Sequence, residues 1–191
     1  MPQENRERVL RAATSSFLAR GYASSVDDIA RRAGVAKQTV YAHFPSKDAL
    51  FKQVAHDLVR RVLVELENEP HDLRAGLVRF AIAYRERVLS TQGIATFRTV
   101  LPEIQRFRAL ARSMYAASAG EMVHQLAAYL ARAMDRGRLR RDDPQFAAEL
   151  LLGMLVGQDR VKRLFGVSQH NGSDAARSAH LIDCFLRAYA P

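Results

Sequence analysis

The stretch from Ser24 to Phe51, SSVDDIARRAGVAKQTVYAHFPSKDALF, leaves little freedom in how it folds. Ser25, with Asp28 three residues on, has the form of a capping box that opens a short helix from Val26 to Ala33. Val26, Ile29, Ala30 and Ala33 share one face of that helix. Gly34 ends it, because the turn needs a backbone conformation that glycine reaches at low cost. Val35 then plugs the turn into the core. A second short helix follows from Lys37 to about Phe44, with Val40 and Phe44 facing inward. Pro45 stops it, and Ser46 caps a long helix that starts at Lys47. Two short helices about a glycine turn, docked on a third, form a helix-turn-helix.

The rest of the 191 residues is also helical in character. Alanine, leucine and arginine dominate, which suits helices, and no long stretch alternates apolar with polar residues. The expected fold is all-α: an N-terminal three-helix helix-turn-helix domain (1–50) and a C-terminal helical bundle (51–191), about nine helices in total. The first helix carries Val9, Leu10, Ala13 and Phe17, and Gly21 caps it. Helix 4 should end near Pro70, and a fifth helix should cover about His71 to Thr91. A stretch from Phe97 to Ile104 should be interrupted by Pro102. Another segment follows Phe107, and a long helix reaches Arg136. Asp143–Pro144 opens the next helix, which runs toward Phe165. A last helix spans Asp174 to Tyr189.

The chemistry concentrates on the second short helix. Gln38 can pair bidentately with adenine, Lys37 can donate to guanine or phosphate, and Thr39 can meet a thymine methyl or a phosphate. Tyr41 and His43 place polar tips one turn further on. Lys47 stands at a helix N-terminus, where amides already favour an anion, and Ser24 and Ser25 stand at another. Taken singly, each has a plainer role: a half-buried ring, a cap, a solvated charge. The joint pattern points to duplex DNA. The net charge of +9 agrees, and residues 1–60 hold 10 Lys/Arg against 6 Asp/Glu.

On these residues the chain resembles the tetracycline-repressor (TetR) family of bacterial transcription regulators. The resemblance covers residues 5–52 and rests on Phe17, Gly21, Ser25, Val26, Ile29, Ala30, Ala33, Gly34, Val35, Thr39, Tyr41, His43, Phe44, Lys47, Leu50 and Phe51. Ala42 departs from it, standing where many members carry a second bulky aromatic. The run LARAMDRGRLRRDDPQFAAELLLGML is similar to an AefR-like subfamily. The resemblance implies a homodimer reading a palindromic operator, usually as a repressor, and released by a small-molecule inducer, with helix 4 as the lever. It further implies a ligand pocket among the C-terminal helices and a subunit interface made by the last two long helices.

Candidate pocket residues, for a probably apolar or amphipathic ligand, are Phe80, Tyr84, Phe97, Leu101, Met114, Met122 and Met154; plain core is the alternative for each. Methionine adapts to irregular ligands. Gly153 and Gly157, four apart, would allow close helix approach at a subunit interface or equally inside one subunit. Ile182, Phe185 and Leu186 are further interface candidates. No zinc-type Cys/His spacing, phosphate loop or nucleophile elbow is present. His56–Asp57 and His71–Asp72 read as solvated helix surface. The expectation is therefore no enzyme, no cofactor and no metal. The polar N-terminus and the short apolar runs speak for a cytoplasmic protein without a membrane partner. Cys184, among Leu181, Ile182 and Phe185, reads as packing rather than as a redox sensor.

Overall fold

A computed structural model describes residues 2–67, 72–106, 108–167 and 174–191. All regular elements among them are helical. They are α1 (Pro2–Arg20), α2 (Val26–Ala33), α3 (Lys37–His43), α4 (Lys47–Glu67), α5 (Leu73–Leu89), α6 (Thr91–Arg106), α7 (Arg108–Tyr115), α8 (Glu121–Asp135), α9 (Pro144–Leu164) and α10 (Asp174–Ala188). A 3-10 turn at Gly21–Ala23 follows α1, and a π-helical turn at Ala116–Gly120 precedes α8. The expected end of α4 near Pro70, His71 of the second His-Asp pair, the segment start at Phe107 and most of the loop before α10 lie outside the described residues.

The chain divides into two compact units, Met1–Leu58 with Thr91–Ser118, and Val59–Ser90 with Ala119–Pro191. Thus α6 and α7, grouped by sequence with the second part, cluster with the first. The reason is contact with α1: the Thr96 hydroxyl donates to the Leu18 carbonyl at 3.2 Å. That packing also bears on Pro102. A helix interruption was expected there, yet α6 runs through it to Arg106. An interior proline costs about 3 kcal/mol, and the helix is held from outside by α1.

In the first unit, Val9, Ala13 and Phe17 of α1 meet Ile29, Ala30 and Ala33 of α2, Val40 of α3, and Leu50 and Val54 of α4. Phe17 meets Phe51 edge-on, with centroids 4.9 Å apart. The Ser25 hydroxyl accepts from the Asp28 amide at 3.0 Å, as the capping pattern requires. Gly34 ends α2 in the left-handed region (φ 64°), and its amide returns to the carbonyls of Ala30 and Arg31. Arg8 of α1 donates to the Gly34 carbonyl at 3.1 Å, and a Cβ at Gly34 would lie 2.5 Å from that guanidinium. Gly34→Ala should therefore lower stability by about 1–2 kcal/mol, the left-handed penalty for an L-residue, read as a lower urea midpoint.

In the second unit, α5, α8, α9 and α10 enclose Leu77, Phe80, Leu126, Leu130, Leu151, Leu155, Ile182 and Phe185. One charged residue shares that interior. Arg85, only 1% exposed, donates to the Leu155 carbonyl, to Asp159 at 2.9 Å and to Asp174 at 2.8 Å. Arg177 grips Asp159 through two bonds, at 2.8 and 3.1 Å. Partial desolvation pushes the Asp159 carboxyl up, and the hydrogen bonds and charges of Arg85 and Arg177 more than reverse it, holding it below the usual range. Arg85→Met should cost about 3 kcal/mol, because it leaves buried carboxylate charge undercompensated. Asp159 contributes stability above about pH 4, lost as pH falls through its depressed folded pKa. Asp159→Asn should accordingly flatten the acid limb of stability against pH, followed by urea unfolding.

Candidate nucleic-acid interface

Helix α3 is anchored on one side and open on the other. Val40 and Phe44 are buried, and the Arg6 guanidinium lies 5.3 Å over the Phe44 ring. Helical spacing then turns Gln38, Tyr41 and Ala42 outward, and all three are exposed, Tyr41 at 43%. Thr39 and His43 are half-buried on the flanks. Lys37, the first residue of α3, is exposed and its ammonium lies 3.0 Å from the Asp27 carboxylate. The hydrogen bond and charge of Asp27 raise its pKa.

Lys47, at the start of α4, packs its ammonium 4.1 Å over the Tyr22 ring. Burial lowers its pKa, against the pull of Asp48. The Tyr22 hydroxyl donates to Asp48. Burial first, then that hydrogen bond and the carboxylate charge, push Tyr22 up to about 12. Ser25 is exposed, with its hydroxyl committed to the cap. Ser24 departs from expectation. It is 1% exposed, and its hydroxyl donates to the Ser16 carbonyl at 2.8 Å. It ties the start of α2 to α1 and offers nothing to an external anion.

The reader head also uses residues that the sequence reading passed over. Arg6 and Arg8 brace α3 and the Gly34 turn from α1. Arg20, at 3.1 Å, and Arg31 both converge on Asp28. Desolvation raises the Asp28 carboxyl, and Arg31, Arg20 and the Ser25 hydroxyl bring it below the usual range.

The other candidates divide between the units. Phe80 and Met122 lie in the core of the second, with Tyr84 and Met154 packed against it, and the Phe80 and Tyr84 rings stack at 5.8 Å. Phe97, Leu101 and Met114 belong to the first unit, where Leu101 is exposed. Gly153 and Gly157 lie on an open face of α9, where an added Cβ would meet nothing within 4 Å. Ile182 and Phe185, expected at a subunit interface, are fully buried in their own chain, since with Ser178 and Tyr189 they form the inner face of α10. Leu186 packs half-buried beside them. The Arg85 network was missed, although the four-residue spacing of Leu77, Ala81, Arg85 and Leu89 sets an arginine into an apolar stripe. His56 and Asp57 are 3.8 Å apart, and the described residues hold no group of three or more potential metal ligands. None of their helices is long and apolar enough to cross a membrane.

Residues 9–54 match the family model for bacterial regulatory proteins of the tetR family, and residues 75–191 match that for the AefR-like transcriptional repressor C-terminal domain. The chain belongs to the TetR family. It is a transcriptional regulator of that family, whose members bind DNA. A TetR-family regulator from Mesorhizobium loti superposes with a TM-score of 0.78 at 25% identity, covering 100% of this chain and 99% of that one. The flavonoid-responsive regulator FrrA gives 0.73 at 31% identity, over 98% and 97%. The activator FasR of Mycolicibacterium smegmatis is 48% identical over 52 residues, 27% of this chain and 24% of FasR. The regulator YdgC of Bacillus subtilis is 37% identical over 60 residues, 31% of either chain. The chain thus spans less than a third of each of these two curated relatives.

The Tyr22–Asp48 contact is open to direct measurement. Ultraviolet difference titration against Tyr22→Phe should show a phenolate forming near pH 12. The raised folded pKa means that this contact stabilises the protein below about pH 10, the ordinary tyrosine value, and less as pH climbs toward 12.

Proposed function

We propose that this TetR-family protein is a homodimeric repressor that reads a palindromic operator through α3 and is released by a small apolar or amphipathic inducer. One observation carries the reading. Val40 and Phe44 bury one side of α3, and the opposite side presents Gln38 and Tyr41 to solvent with Lys37 at its tip. Division of labour follows the sequence expectation, with DNA reading in residues 1–50 and ligand binding and dimerisation in 51–191. In that arrangement Thr39, His43, Lys47 and Ser25 serve the DNA backbone, since phosphate contacts position a reader while base contacts specify the site.

The C-terminal match is to a repressor domain and covers residues 75–191, whereas the likeness to the activator FasR stops within the DNA-binding third. This favours repression. Dimerisation is supported by α9, which leaves Phe146, Leu150, Gly153, Gly157, Val161 and Phe165 exposed at spacings of three and four. Phe165 reaches 81% exposure. Such an apolar stripe on a soluble chain marks an interaction face, and the two glycines allow a second helix to approach closely. Two-fold symmetry would set the α3 pair about 34–36 Å apart, one turn of DNA. FrrA responds to flavonoids, and a planar amphipathic ligand suits the stacked Phe80 and Tyr84. To clear most operators, the inducer must favour the released conformer by about 5 kcal/mol.

The test selects bound duplexes from a random pool and measures their affinity by fluorescence anisotropy. Replacing Gln38 and Tyr41 together by alanine should weaken the selected operator about 10- to 100-fold, at roughly 1–3 kcal/mol per base contact, and spare random duplex. Leu150→Glu should give folded monomers in sedimentation and lose the operator. Undiminished operator binding by the Gln38/Tyr41 variant would sink the reading.

A further inference from the structure

Among the cations of the reader head, Lys37 is the one on α3 itself, and it does not stand free. Its ammonium lies 3.0 Å from Asp27, and both side chains are about half in solvent, at 49% and 66%. Asp27 lies in the first turn of α2, beside Asp28, which is already engaged by Arg20 and Arg31. The turn therefore holds two carboxylates, each matched to cations of the same head.

An exposed ion pair and a single phosphate contact are both weak, because water and salt screen each of them. Competition between them is close, and the remaining contacts decide it. On random DNA a phosphate alone competes for Lys37, and the Asp27 charge opposes the approach of that phosphate. On the operator, a base edge adds directed hydrogen bonds that a carboxylate partner must then outbid. We propose that Asp27 restrains Lys37, keeping it off phosphates in sequence-independent complexes and yielding it only where a base edge is offered. This makes Asp27 a specificity-determining residue that need not itself touch a base. The inference rests on the α3 reading above.

The test measures anisotropy of the full-length protein on a random duplex and on a selected operator, from about 50 to 200 mM salt, the range in which counterion release is strong. Four proteins are compared: wild type, Asp27→Asn, Lys37→Gln and the double variant. Lys37→Gln should leave random-duplex affinity and its salt slope unchanged, since Lys37 is not used there, yet weaken the operator. Asp27→Asn should raise random-duplex affinity about two- to fivefold, the strength of an exposed pair. It should also steepen the log–log salt slope by about 0.9, one added phosphate contact. In the Lys37→Gln background the same Asp27 change should do neither. Thermal unfolding of all four should coincide.

If Lys37→Gln flattens the random-duplex slope, Lys37 already lies on phosphate and the restraint is overturned. An equal gain from Asp27→Asn with and without Lys37 would reduce it to general charge repulsion, and also overturns it. Both outcomes leave operator preference intact. A wild type with no preferred duplex would instead overturn the α3 reading and this inference with it.

Discussion

Helix α3 is seven residues long, too short to persist alone in water. It exists because Val40 and Phe44 are buried against α1, α2 and α4. That one constraint fixes the rotation of the helix about its axis. Once Val40 points inward, the 3.6-residue period sends Gln38 and Tyr41 outward with no further instruction. The Gly34 turn sets where the helix starts, and Arg8 holds the turn from α1. The reader is therefore a product of its own hydrophobic core, and its polar face is what the core leaves over.

Charge in this protein is largely spent internally. The formal surplus is +9, yet Lys37, Arg20 and Arg31 are matched by Asp27 and Asp28, and Lys47 rests on an aromatic ring. In the second unit, Arg85 and Arg177 neutralise Asp159 inside or near the core. A count of basic residues thus overstates the field that an approaching polyanion meets. What remains is a moderate potential combined with directed side chains, a balance that suits sequence discrimination better than indiscriminate adhesion.

Local pattern carried far in the first unit. The caps at Ser25 and Ser46, the glycine turn and the apolar spacing of α1 and α2 were readable because each rests on neighbours within four residues. Ser24 shows the limit. Adjacent serines at a helix start look alike in sequence, and only the approach of α1 buries one hydroxyl and exposes the next residue. In α10, Ile182 and Phe185 offered an apolar stripe without saying whether α5 or another chain would cover it; the chain's own core does. Pro102 likewise signalled a break that packing on α1 overrides.

By itself the sequence determined the family, the all-helical fold and the outward face of α3, because helical periodicity, capping and turn chemistry are local and need no distant partner. Tertiary structure alone decided which of two serines is free, where Arg85 finds its carboxylates, and that Lys37 leans on Asp27. Those outcomes join residues 8, 10 and more than 70 positions apart, and no local rule reaches across such separations.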